Sequence, residues 1–129
     1  MANQFVVQLK NTPGAMAVLA EELAARGVDL RAIGGGSMGD SGHVIMTTAD
    51  DDAAKAVLDA GDYVYIEGES ILAEVDDKPG GMARLSRALA DAGVNIHGHL
   101  FLGRWGDRAM FTFVVDKPEV ARPILERKG

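Results

Sequence analysis

The sequence predicts an α+β protein built from two copies of a β-α-β-β-α-β unit, the second of which lacks its own last strand. Three observations predict this class: an internal repeat along the 129 residues, alternating strand-like and helix-like patterns in each copy, and a second copy with no segment for a closing strand. This order is the split βαβ pattern of ferredoxin-like domains, with antiparallel sheets and helices on one face. We expect one unit over residues 1–69 and the other over residues 70–129.

The repeat is ungapped and has an offset of 66 residues. Residues 11–17 (NTPGAMA) fall on residues 77–83 (DKPGGMA), and the match continues through a strand upstream and a helix downstream. Further matching positions are Leu19 and Leu85, Leu23 and Leu89, Gly27 and Gly93, and Asp50 and Asp116. One shared offset across strand, turn and helix indicates duplication of a unit of about 65 residues. A unit of that size buries only roughly 60% of its chain surface, so association is expected.

Each element of the first unit follows from a local pattern. Apolar residues at i, i+3, i+4 and i+7 from Met16 to Leu23 predict an amphipathic helix, with Pro13 in its first turn and Gly27 at its end. Asp50 is expected to cap a second helix. The predicted strands and turns are a strand at 5–9, a strand leaving from 29–30, a glycine-rich turn at 38–42, a strand at 43–48 and a closing strand at 63–67.

The second unit repeats this order with two departures. Pro123 falls inside its last helix, which should therefore be short or kinked. Gly129 lies at the position equivalent to Tyr63, so this unit has no closing strand of its own. We therefore expect residues 63–67 to pair against residues 71–75 and to lend that strand to the second unit. The other predicted segments are a helix from Met82 with Pro79 in its first turn, a strand from Asn95, a turn at 103–107, a strand at 109–115 and a helix capped by Asp116.

The two turn motifs, each followed by a helix and then by GVDL or GVNI, resemble the signature of ACT domains, which are small regulatory modules that bind amino acids. The resemblance covers nearly the whole chain. It implies a ferredoxin-like βαββαβ unit and pairing of units into side-by-side sheets. It also implies effector binding where the first loop of one unit meets the second strand of a neighbour.

The chemistry of the turn independently favours a ligand there. Glycine lets a ligand approach the backbone, and the helix N-terminus favours an α-carboxylate. Asn11 and Asp77 offer oxygens to an α-ammonium, while Asp29 and Asn95 offer polar contacts at the next strand. The second site should be the more competent, because Gly81 stands where the first unit has the bulkier Ala15 and Asp77 stands where it has Asn11. The candidate ligand-binding residues are Asn11, Thr12, Pro13, Gly14, Ala15, Met16, Asp29, Leu30, Asp77, Lys78, Pro79, Gly80, Gly81, Met82, Asn95 and Ile96. An alternative is that these residues only cap helices and form turns.

Composition excludes several classes of protein. The chain has no cysteine, which removes disulfides, thiolate metal sites and thiol catalysis. The net charge of −6 disfavours nucleic acid as the main partner. The N-terminus has no basic region, and no apolar run approaches the roughly 18 residues of a membrane span, so we expect no membrane association and a cytoplasmic location.

Two other motifs have ordinary explanations. Gly34-x-Gly36-x-x-Gly39 has the letters of a dinucleotide fingerprint, but a strand rather than a helix follows it, which favours a glycine-rich hairpin. His97 and His99 should share one strand face and could hold a metal with His43 or Asp107 as a third ligand. Histidines at an interface or beside a ligand are the commoner explanation, and we assign no metal.

The leading interpretation is a free-standing, non-catalytic regulatory module that binds an amino acid or related small carboxylate at unit or subunit interfaces. No catalytic residue and no cofactor are assigned. The expected partners are a small-molecule amino acid, a second copy of the chain in a homodimer with Trp105 as an anchor, and a separate metabolic enzyme. The alternatives are a structural or interaction subunit without a ligand, and a small acylphosphatase-like enzyme, because fold alone does not exclude catalysis.

Overall fold

The computed structural model describes residues 3–127 and divides into two compact units between Gly68 and Glu69. Each unit has one antiparallel sheet, and the chain has four helices in these residues, so the predicted α+β class is confirmed. Every helix within residues 3–127 is too short or too polar to cross a membrane.

The first unit is a complete βαββαβ arrangement. Its elements are β1 (Asn3–Lys10), α1 (Ala15–Ala25), β2 (Leu30–Met38), β3 (Ser41–Thr48), α2 (Asp51–Ala60) and β4 (Tyr65–Glu69). The strand order is β2-β3-β1-β4, and the Gln8 N–H donates to the Val64 carbonyl at 2.8 Å. The expectation that residues 63–67 pair against residues 71–75 is therefore wrong, because this segment completes the sheet of its own unit beside β1.

The second unit has one strand fewer. Its elements are β5 (Ile71–Asp76), α3 (Gly81–Asp91), β6 (Ile96–Trp105), β7 (Arg108–Val115) and α4 (Pro118–Leu125). The sheet order β5-β7-β6 confirms, for the part of the chain that the structure describes, that a fourth strand is missing. Helix α4 has 8 residues against 10 in α2 and contains Pro123, so the predicted short last helix is confirmed. Gly129, whose position was used to predict the missing closing strand, lies outside the described residues.

Each unit has its own core between the helices and one sheet face. In the first unit Leu19 and Leu23 of α1 are buried as the helical spacing predicts, whereas Met16 at the start of the same stripe is 38% exposed. In the second unit Leu89 is buried while Met82 and Leu85 are partly buried against the core. Met16 and Met82, near the starts of α1 and α3, therefore lie at the rims of their cores.

A β-bulge in β6 breaks the repeat that the sequence predicts to be ungapped. Val7 pairs with Val44 and Gly35 also pairs with Val44, while Ala73 and Phe101 both pair with Phe111. Leu102 is then an extra residue, because the register shifts between Phe101 and Gly103. Beyond this bulge the structural offset between the units is one residue larger.

The bulge explains why one predicted helix cap is present and the other is wrong. Asp50 accepts a hydrogen bond from Ala53 N at 3.1 Å and caps α2. Asp116 instead accepts from Asn95 N at 2.9 Å, and Lys117 is the N-cap of α4 with Pro118 following it. Because of the extra residue, Asp116 is the structural counterpart of Ala49 and not of Asp50.

Candidate functional site

The Pro-Gly segments form tight turns that precede the helices. Gly14 has φ 91° and ψ −12° and is the N-cap of α1, and the Ala15 N–H donates to the Thr12 carbonyl at 3.3 Å. Gly80 has φ 92° and ψ −13° at the same position before α3. Glycine with positive φ at the third position, directly after proline, is typical of a type II turn. Pro13 and Pro79 therefore lie at the second position of these turns, and the prediction that they lie in the first helical turn is wrong.

Two clefts flank the first of these turns. An inner cleft of about 610 Å³ lies between the turn and the loop at residues 61–64, and an edge cleft of about 410 Å³ lies between the turn and β2. The residues that line both clefts are Leu9, Lys10, Thr12 and Ala15. Both volumes fall in the range that small-molecule sites occupy. The end of β1 and the start of α1 are thus the shared wall of the two clefts.

The edge cleft combines a glycine strand with apolar and polar side chains. Gly35 of β2 runs so close to β3 that an added Cβ would lie 2.3 Å from the His43 carbonyl oxygen. Met16 and Ile33 provide apolar surface and are 38% and 46% exposed. No side chain caps the N-terminus of α1, and the positive end of the helix dipole lies at this turn.

Two polar side chains give the edge cleft its charge and direction. Asn11 Nδ2 donates to the Gly39 carbonyl at 2.9 Å, so the amide is oriented by the β2–β3 turn and presents Oδ1 as an acceptor. Lys10 lines both clefts, and within residues 3–127 no carboxylate forms an ion pair with its ammonium. Lys10 is therefore the charged side chain of the edge cleft, whereas the inner cleft also has Asp40 and Asp62 in its lining.

The corresponding cleft of the second unit, about 380 Å³, is lined by Lys78 and by Asp76, Asp77 and Arg104, and both aspartates pair with arginines. Asp77 Oδ2 accepts from Arg104 Nε at 2.7 Å, and the Arg104 guanidinium lies 4.8 Å from the centre of the Phe101 ring. Asp76 accepts from Arg84 at 3.2 Å and also from Arg108. Asp77 thus already has a cationic partner, which removes one of the two reasons for preferring the second site.

The other reason for preferring the second site was the small size of Gly81. Gly81 is buried, and an added Cβ would lie 2.2 Å from the Asp76 carbonyl oxygen and 3.1 Å from Val75 Cγ1. Glycine is needed here because the start of α3 packs directly on β5. Ala15, at the equivalent position of the first unit, lines both clefts.

The predicted site residues divide into two groups in each unit. Those of the turn and helix start lie at the clefts, whereas Asp29 and Leu30 lie at the opposite end of the sheet, where Leu30 pairs with Thr48 and packs on the core. Asn95 and Ile96 have the same placement in the second unit, with Ile96 against the core. Within a unit these strand residues therefore do not join the turn.

The glycine fingerprint and the histidine pair are also placed by the structure. Gly34 and Gly36 lie on β2 paired to β3, and Gly39 is in the turn, so the predicted hairpin is confirmed. A second bulge lies between Ile96 and Gly98, which interrupts the alternation that placed His97 and His99 on one face. Within residues 3–127 no three histidine or acidic side chains are grouped to hold a metal ion.

A tyrosine with a raised pKa lines the inner cleft. Burial and a 2.6 Å hydrogen bond from the Tyr63 hydroxyl to Glu22 raise the pKa of Tyr63 to about 12. The hydroxyl therefore stays protonated at neutral pH and donates its hydrogen bond to Glu22. We infer that the ring of Tyr63 is the part of the side chain that lines the cleft.

Comparison with known proteins now identifies part of the chain. Residues 70–127 match the family model described as the ACT domain. This chain carries an ACT domain. The match covers the second unit from β5 to the end of α4, and it includes the turn with Pro79 and Gly80. No curated protein sequence matches the chain.

Solved structures resemble the chain over both units. Protein BT0572 from Bacteroides thetaiotaomicron has a TM-score of 0.73 at 20% identity, and the alignment covers 97% of this chain and 86% of that one. The regulatory subunit of aspartate kinase from Thermus flavus has a TM-score of 0.64 at 20% identity, with coverage of 96% and 89%. The ligand-free subunit from Thermus thermophilus has a TM-score of 0.59 at 21% identity, with the same coverage. At such identities the likeness establishes a shared fold.

The sequence did not predict that Lys10, Gly35 and Arg104 line these clefts. Lys10 directly precedes the first turn motif, and a cation at that position was the only available signal. Arg104 and Gly35 lie on the second strand of each unit, and nothing in the sequence places them beside a turn more than 20 residues away. Only the pairing of β2 with β3, and of β6 with β7, brings these residues to the ACT-domain turn and its counterpart.

Proposed function

We propose that this chain is a non-catalytic regulatory protein whose first unit is a second ACT-like domain that binds an amino acid or a related small carboxylate. The ACT domain over residues 70–127 supports a regulatory role. The regulatory subunits of aspartate kinase that share its fold support the same reading, although their identity is only 20–21%. We further propose that the chain acts on a separate enzyme in the cytoplasm.

The edge cleft of the first unit is the observation that carries this proposal. Its volume of about 410 Å³ accommodates an amino acid, and its lining includes the backbone of the glycine strand. A ligand carboxylate would interact with Lys10 and with the positive end of α1, and its ammonium would donate to Asn11 Oδ1. Met16 and Ile33 would contact an apolar side chain. These complementary groups favour a zwitterion over a phosphate or a simple amine.

A thermal-shift screen against the common amino acids tests the proposal. A ligand present at about 100 times its dissociation constant adds roughly 2.7 kcal/mol to the free energy of unfolding, which raises the melting temperature by several degrees. We expect one chemical group of amino acids to produce this shift. If every common amino acid, and every related small carboxylate screened with them, leaves the melting temperature unchanged, the ligand-binding function is refuted.

A matched pair of variants locates the site. Ala15→Leu adds three carbon atoms to the wall shared by both clefts and should abolish the shift. Ala17→Leu adds the same atoms to an exposed position of α1 that lines neither cleft, and it should leave the shift intact. Loss of response in both variants, or in neither, would place the ligand elsewhere.

A second candidate function, an interaction subunit without a ligand, is favoured by the exposed apolar residues of β6. Trp105 is 63% exposed and Phe101 is 48% exposed, and β6 is an edge strand of its sheet. Homodimerisation through this strand would bury both aromatic rings. Sedimentation equilibrium of the wild type and of Trp105→Ser tests this candidate, because only a dimer that uses this surface is weakened by the substitution.

Catalysis by an acylphosphatase-like reaction is the alternative that we do not favour. In the second unit the arginines beside the turn, Arg84, Arg104 and Arg108, all pair with aspartates. Turnover of an acyl phosphate by the purified chain would contradict the proposed regulatory role.

A further inference from the structure

Strand β5 of the second unit has a free edge at the place where β4 covers β1 in the first unit. β1 lies between β3 and β4, whereas β5, within residues 3–127, is paired with β7 alone. The Gln8 N–H of β1 donates to the Val64 carbonyl at 2.8 Å, and Glu74 is the counterpart of Gln8 at the offset of 66 residues. Because β1 and β5 have equivalent registers with β3 and β7, the Glu74 N–H points along the free edge.

β5 also lacks the features by which proteins usually protect sheet edges. Bulges interrupt the edge strands β2 and β6, between Leu30 and Ala32 and between Phe101 and Gly103. β5 pairs with β7 over six residues without a register shift, and its sequence ILAEVD contains neither lysine nor proline. A regular edge strand without such features is suited to pairing with a further strand.

Two clefts lie along this edge, one on each face of β5. The helix-side cleft, about 220 Å³, lies between β5 and the helices α3 and α4, and its apolar lining includes Leu85 and Ile124. The outer-face cleft, about 360 Å³, is lined by Leu72 of β5 and by the end of α4. Glu74 and Arg127 line both clefts, which therefore meet at the free edge.

The first unit shows what fills the equivalent space. Tyr63 and Tyr65 pack against the core beside β1, and the rings of Tyr65 and Phe5 lie 6.0 Å apart. On the other face of the same segment Val64 and Ile66 are exposed, at 68% and 43%. A strand that completed the second sheet would therefore place large apolar side chains in the helix-side cleft at alternate positions.

The charges along the edge favour a cationic segment over a second copy of β5. Asp76 already pairs with two arginines, whereas Glu74 has no ion-pair partner within the described residues. Glu126 adds a second carboxylate to the outer-face cleft, against the one guanidinium of Arg127. Antiparallel pairing of two copies over most of β5 would place Glu74 opposite or diagonal to a carboxylate of the other copy, which is destabilising. A segment with a lysine or arginine opposite Glu74 forms an ion pair instead.

We propose that the free edge of β5 is a docking site for an extended segment of a separate polypeptide, which adds a fourth strand to the second sheet. The segment has large apolar side chains at alternate positions and a lysine or arginine opposite Glu74. Backbone hydrogen bonds to β5 provide affinity, while the helix-side cleft and Glu74 provide specificity. This inference goes beyond the proposed amino-acid site and gives the regulatory chain a surface for binding its target.

The probe is a six-residue peptide based on residues 63–68 of the first unit. Its sequence YKYITG keeps both tyrosines, has lysine at the position of Val64 and has threonine at the position of Glu67; its ends are acetylated and amidated. Antiparallel pairing equivalent to that of β4 and β1 would place the lysine opposite Glu74. A control peptide has N-methyl groups on its lysine and isoleucine backbone nitrogens. It keeps the same side chains but lacks the donors that face β5 in this register.

Both peptides are titrated into the ¹⁵N-labelled full chain. We expect the unmethylated peptide to give saturable amide shifts at residues 71–76 and to slow hydrogen exchange of the Glu74 amide, while the Gln8 amide, already bonded to Val64, is unchanged. The N-methylated peptide should give no shifts at residues 71–76. Absence of shifts with the first peptide, or equal shifts with both, would overturn the proposal, because strand pairing requires the backbone donors.

A charge exchange tests the role of Glu74. Glu74→Lys should weaken binding of YKYITG roughly fivefold, the upper end for one exposed ion pair, and should strengthen binding of the matching peptide YEYITG. Glu21→Lys makes the same change at an exposed position of α1 that lines neither cleft, and it should alter neither affinity. Equal affinities of the wild type for the two peptides would overturn this assignment of the partner's charge.

Dilution of the chain without peptide tests the other occupant. A second copy at the edge would make the amide shifts of residues 71–76 depend on protein concentration, and that result would overturn the proposal. We expect these shifts to be independent of concentration. None of these measurements involves an amino acid, so a negative thermal-shift screen would refute the proposed ligand binding and leave this inference standing.

Discussion

Gly81→Ala gives the sharpest test of how the second unit is packed. A Cβ added at this position would lie 2.2 Å from the Asp76 carbonyl oxygen and 3.1 Å from Val75 Cγ1. The first distance is far below van der Waals contact, and the atom that must yield belongs to the backbone of β5. Helix α3 therefore has to move away from β5, or the end of the strand has to distort.

The loss of unfolding free energy expected for Gly81→Ala follows from this geometry. Overpacking a well-packed core destabilises by about 1–3 kcal/mol. Alanine has the better helix propensity, by about 1 kcal/mol in a helix interior, but this gain is smaller at the first helical position and does not offset the clash. We expect a net loss of about 1–2 kcal/mol, which for a unit of this size lowers its melting temperature by roughly 4–16 °C.

The reciprocal variant is the control. Ala15→Gly changes the equivalent residue of the first unit, which lines two clefts, and it should cost at most about 1 kcal/mol through propensity alone. Trp105 is the single tryptophan of the sequence and reports unfolding of the second unit by fluorescence. Fluorescence-monitored unfolding of Gly81→Ala that matches the wild type within about 0.5 kcal/mol would refute the packing argument.

Two further predictions concern the first unit. Because the folded-state pKa of Tyr63 is raised to about 12 from its ordinary 10, its protonated form stabilises the fold fully below pH 10, and this contribution is lost as pH rises from 10 to 12. Tyr63→Phe, which cannot bond to Glu22, should therefore show a shallower loss of stability across that range in denaturant titrations; an identical slope would contradict the assignment. Asp50→Ala removes the cap bond to Ala53 N and should cost about 0.5–2 kcal/mol by urea unfolding, whereas Asp52→Ala in the same first turn should cost less than half of that.

Much of the fold could be predicted because its signals are local. Apolar periodicity placed the helices, and Gly27 and Gly93 follow the helix ends with positive φ, as predicted for the residue after the C-cap. The partner of residues 63–67 was not predictable in this way, because strand pairing depends on contacts more than 50 residues apart. The bulge at Leu102 was also missed, since an inserted residue inside a strand leaves the apolar pattern on both sides intact.

The candidate site was predictable only in outline. The turn motif located the clefts, because proline followed by a positive-φ glycine fixes the turn and the helix start without help from the rest of the chain. That the second site is the more competent of the two stays a prediction. Gly81 suggested space, but a glycine also permits close packing, and Asp77, which suggested a charge for a ligand, pairs with Arg104.

A crystal structure of the full chain grown with the amino acid that gives the largest thermal shift tests the central claim most directly. The proposed function predicts the ligand in the edge cleft of the first unit, with its carboxylate at Lys10 and its ammonium at Asn11 Oδ1. A ligand bound at the turn of the second unit instead, or bound away from both turns, would contradict it.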